Sequence, residues 1–180
     1  MSLIYTKSAM QTTEGQSPNL LKKMLYLIIA VLVVVALALG VLIASNTSIF
    51  AGSRPDNLGI QAGRLASCPS SPNCVSSYSE DAEHGIAPLT YDSSAEDAMA
   101  NLKTIINSED SAKVVSESEN YLYAEFTSSL MGFVDDVEFY LDPEANVIQA
   151  RSASRLGQSD LGVNRERIET IRAKLHEYTS

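Results

Sequence analysis

The amino-acid sequence predicts an α+β fold, in which an N-terminal transmembrane helix precedes a small domain with a four-stranded antiparallel sheet and two helices. Three observations lead to this prediction. A charge-free apolar run lies near the N-terminus, two later segments repeat apolar residues at helical spacing, and four stretches between them alternate apolar and polar residues. The stretches are joined by short turns, which favours antiparallel pairing because a parallel crossover needs a dozen or more residues.

The apolar run is Met24–Ala44, whose 21 residues include no charged side chain. As a helix it would extend about 31 Å, close to the ~30 Å hydrocarbon core of a bilayer. Lys22 and Lys23 precede the run and Arg54 is the first cation after it, so we expect a cytoplasmic N-terminus. The expected location is a bacterial inner membrane, crossed once, with the C-terminal domain in the periplasm. A cleaved signal peptide is the alternative, although its apolar part is usually only ~7–15 residues long.

Composition divides the chain into four parts. Residues 1–21 are polar and aperiodic, which predicts a disordered cytoplasmic tail, and residues 22–44 form the membrane helix. Residues 45–64 contain glycines and a proline and are expected to be a tether that packs only toward its end, and residues 65–180 form the folded ectodomain.

The folded part is strongly acidic. Residues 1–53 hold three lysines and one glutamate, a net charge of +2, so the total of −9 leaves −11 for the remainder. This charge argues against a nucleic-acid partner and against a domain that lies flat on anionic lipid. Acidity also serves solubility alone, and we favour that explanation.

The elements of the domain follow in order. Ser93 and Glu96 have the spacing of a capping box, directly before a helix over residues 94–108. A last helix, with apolar residues along one stripe, is predicted over Asn164–Tyr178. Both helices are expected on one face of the sheet, because the apolar face of each helix and that of the sheet are then buried against one another. The four strands are predicted over Ala112–Glu117, Tyr121–Thr127, Phe133–Leu141 and Val147–Ser154.

Side-chain pairing predicts the register of the third and fourth strands. Pairing Leu141 with Asn146 sets apolar residues opposite apolar ones and brings Asp136 opposite Arg151 as a structural ion pair. A register shifted by one residue would instead set Val137 against Arg151. The first register is therefore predicted.

Both cysteines lie in CPSSPNCVSS, residues 68–77. In an oxidising compartment Cys68 and Cys74 most simply form a disulfide, which would stabilise the domain by roughly 2 kcal/mol. A metal site with Cys68, Cys74 and His84 is less favoured, since C-x5-C lacks the usual ligand spacing. A catalytic thiol with His84 as its base, and unpaired structural thiols, also remain open.

Cations concentrate in RSASRLGQSDLGVNRER, residues 151–167, at a strand-to-helix turn. Guanidinium groups and the free N–H groups of a helix start suit a carboxylate or phosphate ligand. Neighbouring carboxylates, of Asp135, Asp136, Glu138 and Asp160, equally allow an internal ion-pair network, and we favour that interpretation. The candidate binding residues are Arg151, Arg155, Asp160, Asn164, Arg165 and Arg167.

The sequence supports no catalytic residue, metal site or cofactor. His84, in HGIAPL, is expected to be a satisfied loop residue. No serine lies in a G-x-S-x-G elbow, and the glycines of GSRPDNLG and RLGQSDLG have loop spacing only.

Several segments together resemble the domain of unknown function 1499 (DUF1499) family: RPDNLG, CPSSPNCVSS, HGIAPL, GFVDDVEFYLD and RSASRLGQSDLGVNRERIETIRAKL. They extend over nearly all of residues 54–175. The resemblance implies no catalytic residue, because the family, largely bacterial and plastid, has no assigned reaction. It implies a core pattern of Cys68, Cys74, Asp135, Asp136, Arg151, Arg155, Asp160, Asn164 and Arg165.

The predicted function is that of a membrane-anchored, non-enzymatic envelope module. Its partners would be the lipid bilayer, through Met24–Ala44, and either a membrane-complex protein or a small anionic ligand at the 151–167 turn. The alternative is an envelope hydrolase with His84 as its base and the arginines as an anion site. A hydrolase requires a base and a nucleophile within ~3 Å inside a pocket, whereas a binding module does not.

Overall fold

The structure, a computed structural model of the chain, describes residues 18–44 and 50–179. The chain separates into two compact units, divided after Thr47. Most of the predicted N-terminal tail lies outside the described residues. We describe the N-terminal helix and the C-terminal domain each by itself.

The N-terminal unit is helix α1, Pro18–Ala44, which begins earlier than the predicted Met24. Pro18 stands at the first helical position, where its fixed φ and missing N–H cost nothing. Within the described parts of the chain, α1 is the one helix long and apolar enough to cross a membrane, over Asn19–Val41 at a mean hydropathy of 3.0. The large apolar side chains from Met24 through Ile29 are all exposed, so apolar surface surrounds the helix.

The C-terminal unit is an α+β domain, as predicted, but its antiparallel sheet has five strands in the order β1-β5-β4-β3-β2. The four predicted strands are present, each end within one residue of its prediction. Strand β1, which follows the cysteine loop, was not predicted, because its three residues are too few to show an alternating pattern. The elements are β1 Cys74–Ser76, α2 Ala95–Asn107, β2 Ala112–Ser118, β3 Tyr121–Thr127, β4 Val134–Asp142, β5 Val147–Ser154 and α3 Val163–Thr179.

Helices α2 and α3 cover one face of the sheet, α2 over β2 and α3 over β5 and β1. Buried residues of the strands, such as Phe139 and Ile148, meet buried helix residues, such as Leu102 and Ile168, in one core. Each of these four side chains is fully buried. The predicted two-layer arrangement therefore follows from the apolar stripe of each helix.

The N-terminus of α2 differs from the prediction by one residue. The capping residue is Ser94 rather than Ser93, and its side chain accepts a hydrogen bond from the backbone N–H of Asp97 at 3.0 Å. Asp97 and Glu96 both lie in the first turn, where negative charge is favourable next to the helix dipole.

The predicted register of β4 and β5 is wrong by two residues. Leu141 pairs with Ile148, and Glu138, not Asp136, lies opposite Arg151. The turn explains the shift, because Asn146 takes a left-handed φ of 53° that does not fit a strand. Asp142 instead ends β4, and its carboxylate accepts the backbone N–H groups of Glu144 and Ala145, each at 3.1 Å. A shift of two keeps every side chain on its predicted face.

The predicted disulfide between Cys68 and Cys74 is confirmed, with the two Cα atoms 5.7 Å apart. It joins the loop to the first residue of β1, and Cys74 is buried. In the disulfide, the two sulfur atoms therefore serve neither as metal ligands nor as a reactive thiol, because neither can form a thiolate.

Removing this disulfide is expected to destabilise the domain. In the Cys68→Ser/Cys74→Ser double variant the free energy of unfolding falls by about 2 kcal/mol, because the unfolded chain regains the freedom of the open loop. Urea denaturation of the full chain in detergent micelles measures this change, with Ser70→Ala, an exposed position in the same loop, as control. Equal midpoints for the double variant and the control would show that the bond contributes no stability.

Candidate functional site

The central strand β4 carries two carboxylates on the sheet face opposite the helices, which we call the outer face. Val137 and Phe139 alternate with them and enter the core. Asp136 and Glu138 are nevertheless almost wholly buried, with exposed fractions of 1% and 0%. Buried carboxylates are costly unless cations and hydrogen-bond donors surround them, so their partners decide what this face can do.

Glu138 has three donors. Its Oε2 accepts from Nη1 of Arg151 at 3.2 Å, whereas its Oε1 accepts from the Tyr121 hydroxyl at 2.8 Å and from the Gly59 N–H at 2.7 Å. Burial, followed by the nearby negative charge of Glu138, raises the pKa of Tyr121 above its ordinary value. Tyr121 therefore stays protonated and donates to Glu138.

Asp136 is held mainly by Arg155. Nε of Arg155 lies 3.1 and 3.0 Å from the two carboxylate oxygens of Asp136, and Nη2 of Arg155 lies 2.6 Å from Oδ1. The Tyr123 hydroxyl also donates to Oδ1 of Asp136, at 2.6 Å. The hydrogen bonds to Asp136 outweigh the effect of burial and raise the pKa of Arg155. The predicted ion pair between Asp136 and Arg151 is therefore wrong, because the two-residue register shift leaves Arg151 opposite Glu138.

Glu125 on β3 extends the network to a segment far away in sequence. Its Oε1 accepts from Nη2 of Arg155 at 2.5 Å and from Nη2 of Arg54 at 2.6 Å. Burial alone would raise the pKa of Glu125, but the hydrogen bonds from the two arginines lower the pKa to about 2. Glu125 is therefore ionised over the whole physiological range of pH.

Residues upstream of Leu65 cover the outer face. Besides Arg54 and Gly59, the guanidinium of Arg64 lies over the ring of Tyr78, 4.4 Å from its centroid, and Leu65 is buried. Gly52 also approaches closely, because a Cβ atom there would come within 2.8 Å of the Cβ of Arg155. Residues of the predicted tether from Gly52 to Arg64 thus pack against the domain, mostly through polar contacts.

The other candidate arginines lie on α3, away from the outer face. Nη2 of Arg167 binds Asp135 at 2.6 Å, Nη1 binds Oδ1 of Asn164 at 2.5 Å, and the guanidinium covers the ring of Phe126 at 4.7 Å. Asp135 precedes Asp136 on β4 and so points to the helix side of the sheet. Neighbouring acids of one strand therefore hold arginines of two different elements.

The start of α3 supplies its own anion. Asp160 accepts the N–H of Gly162 at 3.1 Å and the N–H of Asn164 at 2.8 Å. The buried Asn164 side chain accepts from Ser152 and donates to Ser154 and to the Asn73 carbonyl. Two backbone donors of the kind that the sequence suggested for a ligand are thus engaged by Asp160 within the chain.

Arg165 and His84 hold the loop before α2. Arg165 donates to the carbonyls of Gly85 at 2.7 Å and Glu83 at 3.0 Å. The ring of His84 contacts the Asp81 carboxylate at 2.9 Å and the Ser71 carbonyl at 3.3 Å, and its side chain is only 12% exposed. Burial lowers the pKa of His84, but the bonds to Asp81 and Ser71 outweigh it and raise the pKa.

The candidate residues consequently form two groups instead of one site. Arg151 and Arg155 belong to the outer face, whereas Asp160, Asn164, Arg165 and Arg167 belong to the start of α3 and its neighbours. Within residues 18–44 and 50–179, no three side chains of metal-binding type lie together. In the same ranges, the buried side-chain atoms without a hydrogen-bond partner are Nε of Arg151 and the hydroxyl of Tyr78.

About half of the outer-face network was not predicted from the sequence. Tyr121, Tyr123 and Glu125 alternate along β3 and share its outer side, a signal that strand alternation alone contains. Arg54 and Gly59 gave no such signal, because each contacts a carboxylate more than 70 residues away.

Comparison with known proteins gives one family match. The family model described as Protein of unknown function (DUF1499) matches residues 64–175, more than half of the chain. No curated protein matches the sequence. The matched range contains both groups of arginines and the disulfide.

The buried pair of Glu138 and Arg151 allows a double-mutant test. Glu138→Met or Arg151→Met alone is expected to lower the free energy of unfolding by about 3–5 kcal/mol, because each leaves an uncompensated buried charge. The combined variant should recover a large part of that loss, since both charges are gone. Chemical denaturation of the four proteins measures the coupling, and strictly additive losses would contradict the ion pair.

His84 should make stability dependent on pH. Because the pKa of His84 is raised in the folded protein, its stabilising contribution is present below the unfolded value of about 6.5 and is lost as pH rises through the folded pKa. Denaturation midpoints measured between about pH 5.5 and 8.5 should decline toward high pH. In His84→Gln this part of the decline should vanish. An identical pH profile in the variant would contradict the assignment.

Proposed function

The chain belongs to the DUF1499 family, a family of unknown function, and on that premise we propose that it is a membrane-anchored, non-enzymatic envelope module that binds another protein of a membrane complex. The observation that carries the proposal is the internal use of the signature arginines. Each of the four arginines of the 151–167 segment donates to carboxylates, amides or carbonyls of the same domain. Such groups stabilise a fold and are not free to bind a substrate.

The anchor is α1. Its apolar length suits a single bilayer crossing, and Lys22 and Lys23 favour a cytoplasmic N-terminus. The domain would then lie on the periplasmic side of a bacterial inner membrane. The disulfide between Cys68 and Cys74 supports this side, since disulfides persist in oxidising compartments.

The hydrolase alternative has less support. It requires His84 as a free base and the arginines as an open anion site. Both ring nitrogens of His84 instead contact Asp81 and Ser71 of the surrounding loops. A general base engaged in this way holds loops together and has no position left for a substrate proton.

A protein partner suits the surface better than a small anion. Residues 54–180 hold 10 cations and 21 acids, a net charge of −11, and internal contacts engage most of the cations. The exposed acids include Glu80, Glu119 and Glu144. Such a surface repels free anions and is complementary to a basic surface on a partner.

We expect the intact anchored protein to retain a specific partner after crosslinking in its native membrane. Raising the salt concentration from about 50 to about 500 mM before crosslinking should reduce recovery, because screening weakens contacts between exposed charges. Glu80→Lys/Glu83→Lys should also reduce it, whereas Lys113→Glu, an exposed control, should not. Absence of any specific partner at low salt, or hydrolytic activity abolished by His84→Gln, would refute the proposal.

A further inference from the structure

Exposed apolar side chains concentrate at one end of the domain. Leu130 is 92% and Leu161 is 94% exposed, and Phe50, Met131, Leu156 and Val163 are exposed as well. Among the described residues 50–178, the other exposed large apolar side chains are Ile60 and Tyr178. We call the set Phe50, Leu130, Met131, Leu156, Leu161 and Val163 the apolar tip.

The topology brings these residues to the same end. The turn that holds Leu130 joins the end of β3 to the start of β4, and the loop that holds Leu161 follows the end of β5. These strand ends are neighbours, because Asp135 pairs with Ser154. Phe50 belongs here too, since its ring lies 5.1 Å from that of Phe133 in the same turn.

The two loops that form most of the apolar tip carry little free charge. The turn SSLMGF, residues 128–133, has no charged side chain. In the loop RLGQSDLGV, residues 155–163, the charged side chains are Arg155, which binds Asp136, and Asp160, which caps α3. The rest of the loop consists of small, apolar or neutral polar residues, as in segments that enter the interface of a bilayer.

The backbone at Leu161 adds an independent observation. Leu161 takes a φ of 56°, in the left-handed region that a leucine rarely adopts. The conformation places an apolar side chain in water at a conformational cost, with Asp160 and Ser159 holding the turn. Such strain is commonly found where a residue has a functional contact.

The short chain between α1 and Phe50 indicates what the apolar tip contacts. Phe50 follows Ala44, the last residue of α1, by six residues. Six residues extend at most about 22 Å, so Phe50 lies within about that distance of Ala44. If α1 crosses the bilayer as proposed above, its end lies at the interface of lipid and water, within reach of Phe50.

We propose that the apolar tip inserts into the lipid–water interface of the bilayer in which α1 is anchored. This inference rests on the anchor in the proposed function. The acidic remainder of the domain stays away from anionic headgroups, and the apolar tip is the part that can approach them. We assign the apolar tip to lipid and not to a protein partner, because the anchor keeps Phe50 near a bilayer at all times.

Depth-dependent quenching of an attached fluorophore tests the contact. The full-length protein is reconstituted in phosphatidylcholine vesicles, and a polarity-sensitive label is attached without reductant to a single added cysteine, in Leu130→Cys or Leu161→Cys. Glu119→Cys, exposed in the turn at the opposite end of the sheet, is the matched control. We expect lipids spin-labelled near the headgroup to quench both tip positions at least twofold more than position 119.

A fourth variant separates this inference from the anchor. Leu32→Cys, in the middle of α1, should be quenched by lipids spin-labelled deep in the acyl chain. Quenching at position 32 with water-exposed labels at 130 and 161 would refute tip insertion and leave the anchor intact. A water-exposed label at position 32 would refute the anchor and with it the insertion.

Discussion

The burial of Asp136 and Glu138 on the central strand is the constraint on which the rest of the domain depends. With helices on one face and residues 50–65 on the other, neither carboxylate has access to bulk water. Burying two negative charges is tolerable only with cations fixed beside them. Arg151 of β5 and Arg155, the residue that follows β5, provide these cations. Glu138 also fastens the covering segment, because it accepts from Gly59. A third carboxylate, that of Glu125, joins Arg54 of this segment to Arg155. The cover of the outer face by residues 50–65 is therefore a consequence of one electrostatic requirement.

This requirement changes the meaning of the arginine-rich motif. In sequence, Arg151 and Arg167 belong to one stretch around a turn, which allowed either a single anion site or, as we favoured, an internal ion-pair network. In three dimensions they lie on opposite sides of the sheet, each paired with a different carboxylate of β4. Asp160 occupies the helix start that would otherwise attract an anion. A concentration of cations in an acidic domain thus indicates buried acids nearby. The surface that remains for partners is acidic and, at one end, apolar.

The sequence predicted the elements better than their contacts. Alternation located β2 to β5, because each strand buries one face in the core, and helical spacing located α2 and α3. Residue pairing did not settle the register, since a shift of two residues preserves every face and merely exchanges Asp136 for Glu138 as the partner of Arg151. The left-handed conformation of Asn146 excludes it from the strand and so selects the observed register. The contacts of Arg54 and Gly59 were unpredictable, because a tether rich in turn formers gives no periodic signal of the sheet it covers.

The central claim is that the buried carboxylates fasten the covering segment to the sheet. Hydrogen exchange of the Gly59 amide, measured by NMR on the full chain in micelles, tests it most directly, since this N–H donates to Oε1 of Glu138 at 2.7 Å. We predict slow exchange at Gly59, with protection close to that of the sheet amides in native protein and reduced in Glu138→Met. Exchange at the rate of an unprotected loop amide would mean that the segment does not rest on Glu138, and the account of the outer face would be wrong.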